Sequence, residues 1–141
     1  AAAKKNATKT IHANLVKYIA AEYAKCSIDS SDQVMKKGTA GVDCSTTADD
    51  GTVTPLTAGQ ITAHLGGATT PLEDKNPHNP SAKAVVAGSG DVFNPGTITI
   101  SPTSDSLITV TTCFTDGKGS GAGSNACDQT ANQLTNTVAI E

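Results

Sequence analysis

Arginine and tryptophan are absent from this chain of 141 residues, its aromatic residues are two Phe and two Tyr, and it has no long apolar run. Each absence excludes something. All ten basic side chains are lysines. Bidentate recognition of phosphate, carboxylate or guanine leans on the planar fork of arginine, so specific nucleic-acid reading is disfavoured. A formal net charge of −3 and a pI near 5.5 leave no basic field to attract a polyanion. Two Tyr and two Phe build no stacking platform for bases or sugars. No stretch approaches the roughly 18 apolar residues that cross a bilayer as a helix. No signal peptide is visible, so any export signal is expected to have been removed or left out.

What is present is small and weakly charged. Leu, Ile, Val and Phe number 25, against 32 Ser and Thr and 13 Gly. So low an aliphatic fraction produces disorder when it is joined to a large net charge, and here the net charge is small. The length is that of one domain. A thin core needs staples, and four cysteines supply up to two. Cys26, Cys44, Cys113 and Cys127 fall into an N-terminal and a C-terminal pair. Neither pair has C-x-x-C spacing, which argues against a zinc knuckle or a thioredoxin-type site. Three connectivities are open. The local one, Cys26–Cys44 with Cys113–Cys127, closes two short loops, each stabilising by roughly 3 kcal/mol on chain-entropy grounds. An oxidised, exported protein is the favoured reading.

Along the chain, Ile11, Leu15, Tyr18, Ile19, Tyr23 and Cys26 form one stripe at a 3.6-residue period, with Lys9, Lys17 and Lys25 largely off it. This predicts an amphipathic helix over 1–26. Ala1 to Lys5 offers no capping residue, and a helix already running at Ala1 is expected to be the rear part of a longer one. From Ser27 to Thr54 no periodicity is sustained. Thr57 and Gln60 complete a capping box, Leu56 and Ile61 a hydrophobic staple, and Gly66-Gly67 a left-handed stop, so Ala58 to Leu65 is predicted helical. Lys75-Asn76-Pro77-His78-Asn79-Pro80 reads as a turn-rich loop in which two prolines forbid regular pairing. The period then changes to two. Ala84 to Ala87 is a short apolar run. Thr97 to Ile100 and Ile108 to Thr112 alternate, and Pro102 to Ser106 turns the chain between them. Ile98, Ile100, Ile108 and Val110 are predicted to face inward and the threonines outward. Asp116 to Asn125 is a Gly- and Ser-rich loop tied back by Cys127, and Thr137 to Ile140 adds a last strand. The expected fold is α+β, a single domain of 1–141 with one long helix on one face of an antiparallel sheet. Residues 1–26 are the helix, 27–82 a connecting region with the short helix, and 83–141 the sheet and a disulfide-closed C-terminal loop.

Residues that carry chemistry are scattered. His12, His64 and His78 stand on two helices and a loop without H-x-x-H spacing, so no metal site is expected and the plain reading is surface or partly buried histidines. No G-x-S-x-G elbow is present, and each cysteine is better explained by pairing than by thiolate chemistry. Asp43, Asp49 and Asp50 before Gly51, and Asp116-Gly117, offer oxygen atoms for calcium but do not match the twelve-residue loop with its terminal Glu. Asn6-Ala7-Thr8 is a formal sequon inside the predicted helix, and the Ser/Thr-rich loops have the composition for O-linked sugars. No catalytic residue, cofactor or metal is expected.

Together these pieces resemble the soluble part of a type IV pilin. The likeness is carried by the helix through Ile11, Leu15, Tyr18, Ile19, Glu22 and Tyr23, the variable connection, and the hairpin from Thr97 to Cys113. The pair Cys113 and Cys127 looks like the bridge that closes a pilin's C-terminal D-region. Lys75 to Pro80 is similar to an Asn-Pro loop found before the sheet in some bacterial pilins. The pair Cys26 and Cys44 departs from the simplest pilins, which have only the C-terminal bridge. The leader and the apolar helical half, with Glu at its fifth position, are not among these residues.

The resemblance implies a structural subunit on the outer surface of a bacterial, extracellular cell-surface pilus. It implies self-association with other pilin subunits into a helical filament through the missing helical half. Membrane contact would come only through that segment, before assembly. Adhesion, motility or DNA uptake would follow from the filament, while so few aromatic residues argue against a conduction path. The competing expectations are a secreted, non-polymerising binding or adhesin module, and a pseudopilin of a secretion system. Pseudopilins of the major kind often use calcium where Cys113 and Cys127 stand here.

Overall fold

Ala, Lys, Leu and Glu favour helix, and the computed structural model shows α1 over Ala2–Ile28, slightly past the predicted end at Cys26. It describes residues 2–88, 94–115, 127 and 129–140, so the expected Asp116 to Asn125 loop with its Asp116-Gly117 pair lies outside the described residues. Thr8, His12, Leu15 and Ile19 are the deeply buried side chains of α1, with Ile11, Tyr18, Tyr23 and Cys26 packed beside them. The amphipathic contrast is weaker than the stripe implies. The buried face opens on Thr8 and His12, while Ala13, Ala20, Ala21 and Ala24 face solvent. The sequon threonine is therefore a core residue, its hydroxyl donating to the Lys4 carbonyl at 2.8 Å.

The connecting region is more ordered than expected. β1 (Gln33–Lys37) and β2 (Ala40–Asp43) form one antiparallel hairpin, and β3 (Ser45–Thr47) and β4 (Val53–Pro55) a second. Strands this short show no periodicity in sequence. The signal was instead in their turns, where Gly38 and Gly51 adopt φ of +64° and +86°. The short helix α2 spans Ala58–Leu65 with its capping box intact. Thr57 Oγ1 accepts from the Gln60 N–H at 3.3 Å, and Gln60 Oε1 accepts from the Thr57 N–H at 2.9 Å. Leu56 and Ile61 enter the same core.

The left-handed stop is overturned. Gly66 has φ −92°, and Gly67 is not among the positive-φ glycines. Close approach explains Gly66 instead, because a Cβ there would sit 2.4 Å from the Ala87 Cβ. Gly66→Ala is expected to lower stability by about 1–3 kcal/mol, read as a lower urea midpoint. Gly88→Ala, whose Cβ would meet nothing within 4 Å, is the control that stays near wild type.

The Asn-Pro stretch is also a hairpin rather than a loop, with β5 (Lys75–Asn76) antiparallel to β6 (Asn79–Lys83). Pro80 is tolerated because it falls between the pairs Asn76↔Asn79 and Lys75↔Lys83, where the register shifts. The principal sheet has the order β10-β9-β8-β7, from β7 (Val85–Ala87), β8 (Ile98–Ser104), β9 (Leu107–Cys113) and β10 (Gln133–Ala139). Three of its strands are antiparallel, but β7 runs parallel to β8. The β8–β9 turn is tighter than predicted, since Pro102 to Ser104 belong to β8 and only Asp105 and Ser106 lie between the strands. The last strand starts at Gln133, earlier than the predicted Thr137.

Ile98, Ile100, Ile108 and Val110 are fully buried on one face, and Leu15 and Ile19 of α1 and Ile61 and Leu65 of α2 share their core. The outward placement of the threonines fails at Thr112, and at Thr97 and Thr99 the outward face is itself covered. Thr112 pairs with Ile98, points with Val110 toward α1, and is fully buried. Thr97 and Thr99 are on the opposite face, yet buried on the floor of a cleft of about 820 Å³ that Asn76, His78 and Lys83 of the β5–β6 region wall off.

Candidate functional site

Two polar connections fix α1 on the domain, and the first starts at His12. With only 3% of its surface exposed, the ring reaches two strands at once. Nε2 is 2.7 Å from Asn136 Oδ1 and Nδ1 is 2.7 Å from Thr112 Oγ1. An amide oxygen only accepts, so Nε2 donates there, and the threonine hydroxyl, which can donate or accept, pairs with Nδ1. The expectation of a surface or partly buried histidine is corrected here, because His12 is a buried strut between α1 and the β9–β10 pair.

The second connection centres on Met35, fully buried with φ of 58°. The left-handed region costs a bulky residue about 1–2 kcal/mol. Both of its main-chain groups are held from outside β1. Its N–H donates to Glu22 Oε1 at 2.8 Å and its carbonyl accepts from His64 Nε2 at 2.7 Å. One kinked residue thereby ties α1 to α2. Lys25 donates to the other oxygen of Glu22. Burial alone would raise the Glu22 pKa, but the bonds from Lys25 and Met35 outweigh it and the pKa is lowered. Burial also pushes the neighbouring Tyr18 hydroxyl up to about 12, helped by the Glu22 charge. A depressed carboxyl pKa means that the stability from Glu22 is complete above the unfolded value of about 4.3 and is lost as pH falls through the folded value. Glu22→Gln is therefore expected to cost about 1 kcal/mol at pH 7 and to flatten the acid limb of the stability profile. Denaturant midpoints between about pH 2 and pH 7 check this.

The two ends of α1 differ in chemistry. At the first end Ala3 to Ala7 are exposed, and Lys9 Nζ and Lys5 Nζ stand 4.4 and 5.5 Å from the centroid of the half-buried Phe114 ring. At the other end lie two of the three exposed large hydrophobic side chains among the described residues, Ile28 at 88% and Val53 at 61%. Val53 lines a cleft of about 290 Å³ with Tyr23, Cys26, Cys44 and Pro55. Asp29 lies just past Ile28, and Asp49 and Asp50 at the tip of the β3–β4 hairpin. Hydrogen bonds from Ser31 hold the Asp29 carboxyl below its usual pKa, and those from Thr52 do the same for Asp50.

Cys26 is bonded to Cys44 and Cys113 to Cys127. The first bridge holds the β2–β3 junction against the last turn of α1, where Ser45 Oγ also donates to the Ser30 carbonyl at 2.8 Å. The second pins residue 127 to the end of β9, and Gln133 Nε2 donates to the Cys127 carbonyl at 2.8 Å. His12 and His64 are engaged in the two connections above, and His78 lines the Asn76 cleft. Asp43 Oδ1 accepts from the Gln33 side chain and Asp50 Oδ1 from the Thr52 N–H. Among the described residues no three His, Cys, Asp or Glu side chains converge as metal ligands, and no helix is long and apolar enough to cross a membrane. The roles of Glu22 toward Met35 and of Phe114 toward Lys5 and Lys9 were invisible in sequence, because each joins residues far apart in the chain. No known protein family, curated protein or solved structure matches this chain.

Proposed function

We propose that this chain is the globular domain of a type IV pilin, a structural subunit whose α1 continues into an apolar helical half that bundles in a filament core. The observation that carries the reading is the mounting of α1. It is a 27-residue helix held against the sheet and β1 from Thr8 to Cys26, with Ala3 to Ala7 exposed. Such a helix transmits load from an axial bundle to an outer domain, and clamps at both of its halves serve that purpose. His12 holds the first half, Glu22 and the Cys26–Cys44 bridge the second. The bridge at Cys113 closes the far side of the sheet, as the D-region bridge does in pilins. On this reading the protein acts outside the cell, where its disulfides persist, and its partners are further copies of itself.

The residues encoded upstream of Ala1 test the proposal. The expected result is a short basic leader followed by about 20 or more apolar residues continuing α1 in helical phase. A conventional secretory signal directly before Ala1 would replace the filament subunit with a secreted binding module.

A further inference from the structure

We propose that the two ends of α1 are complementary docking surfaces through which copies of this chain associate head to tail. The lysine-covered Phe114 face of one copy meets the exposed Val53 and Ile28 of the next, with the aspartates that neighbour them in the chain. The contact takes its biological setting from the filament reading, but its argument rests on charge and apolar surface alone.

At the donor end, residues 1–21 contain Lys4, Lys5, Lys9 and Lys17 and no carboxylate. Lys5 and Lys9 stand over the half-buried Phe114 ring, giving an apolar patch with a cationic cover. The acceptor end offers the reverse, with Val53 exposed on the cleft and Ile28 exposed at the end of α1. No acidic side chain lines the cleft itself, but exposed Asp29 follows Ile28, exposed Asp49 and Asp50 lie in the turn between β3 and β4, and Lys25 is engaged by Glu22. The helix dipole adds to the negative sign at the end of α1. Exposed apolar side chains gathered at one place mark an interaction surface, and a cation-bearing aromatic gains most when its water is displaced.

The occupant is a second copy because one chain carries both halves of the match. The halves cannot meet within a molecule, since the stretch of α1 from Lys5 and Lys9 to Cys26 spans about 26–32 Å. A contact between unlike patches is heterologous, and it propagates into a filament unless its rotation closes a ring.

The test mixes ¹⁵N-labelled chain with unlabelled chain carrying a nitroxide on Thr54→Cys, an exposed position beside Val53. Paramagnetic broadening is expected at the amides of Lys4 to Lys9 and of Phe114. It is expected to fall at least about tenfold when salt rises from about 0.01 M to about 1 M, which cuts the screening length from roughly 30 Å to roughly 3 Å. Lys5→Glu with Lys9→Glu abolishes the broadening, and a nitroxide partner carrying Asp49→Lys and Asp50→Lys restores it, with circular dichroism confirming that every variant is folded. Broadening spread evenly over the surface, broadening indifferent to the lysine reversals, or folded swapped partners that fail to restore it would overturn the proposal. Filaments that form without this broadening discard the contact and keep the pilin reading. Broadening in a protein that makes no filaments does the opposite.

Discussion

Replacing Cys113 and Cys127 by serine lowers the unfolding free energy by about 3 kcal/mol, and replacing Cys26 and Cys44 does about the same. The sequence separations of 14 and 18 set these values, because the unfolded chain regains the freedom of loops of about that size. Domains of this length hold a margin of about 5–15 kcal/mol. With only 25 Leu, Ile, Val and Phe residues, this chain belongs in the lower part of that range. The two pairs are far apart, so their losses add to about 6 kcal/mol. The variant lacking all four cysteines is expected to be largely unfolded at 25 °C, by far-UV circular dichroism and by proteolysis. Each single-pair variant stays folded with a lowered denaturant midpoint. A four-serine protein with the wild-type midpoint would show that the core alone carries the fold.

His12→Ala is expected to cost about 2–4 kcal/mol, the largest loss for a single side chain outside the aliphatic core. Its first part is the void left by a ring with 3% exposure. Its second is the Thr112 hydroxyl, fully buried and stripped of its partner. Asn136 is exposed and can turn to water, so it adds little. The loss is directional, because His12 lies one turn nearer the start of α1 than Leu15, where Thr8 is the next buried side chain. Amide hydrogen exchange should show the turns around Thr8 and His12 opening while β8 and β9 stay protected. A uniform loss of protection would mean that His12 supports the sheet rather than anchoring the helix.

The elements that sequence reveals well here are those with enough length or punctuation to leave a pattern. The stripe through Leu15 and Ile19, the alternation at Ile98–Ile100 and Ile108–Val110, and the Thr57–Gln60 box are local, and each appears in the fold. The misses have two causes. Strands of two to five residues, such as β3 or β5, are too short for a period to show, and only Gly38 and Gly51 betrayed their turns. The other cause is tertiary. Nothing near Gly66 announces that Ala87 will lie against it, and nothing near Thr112 announces a histidine arriving from α1. Met35 is the extreme case, since its left-handed backbone is sustained by groups 13 residues before it and 29 residues after it. Of the candidate assembly surface, the lysines of α1 and the aspartates past it were legible as charge. Phe114 and Val53, which give those charges something to surround, were not.

The most direct measurement of the filament account is immunogold electron microscopy of the source cells with antibody raised against residues 1–141. The account predicts gold at regular density along the whole length of thin surface filaments. Gold confined to the cell body or the surrounding medium, with bare filaments or none, would contradict it.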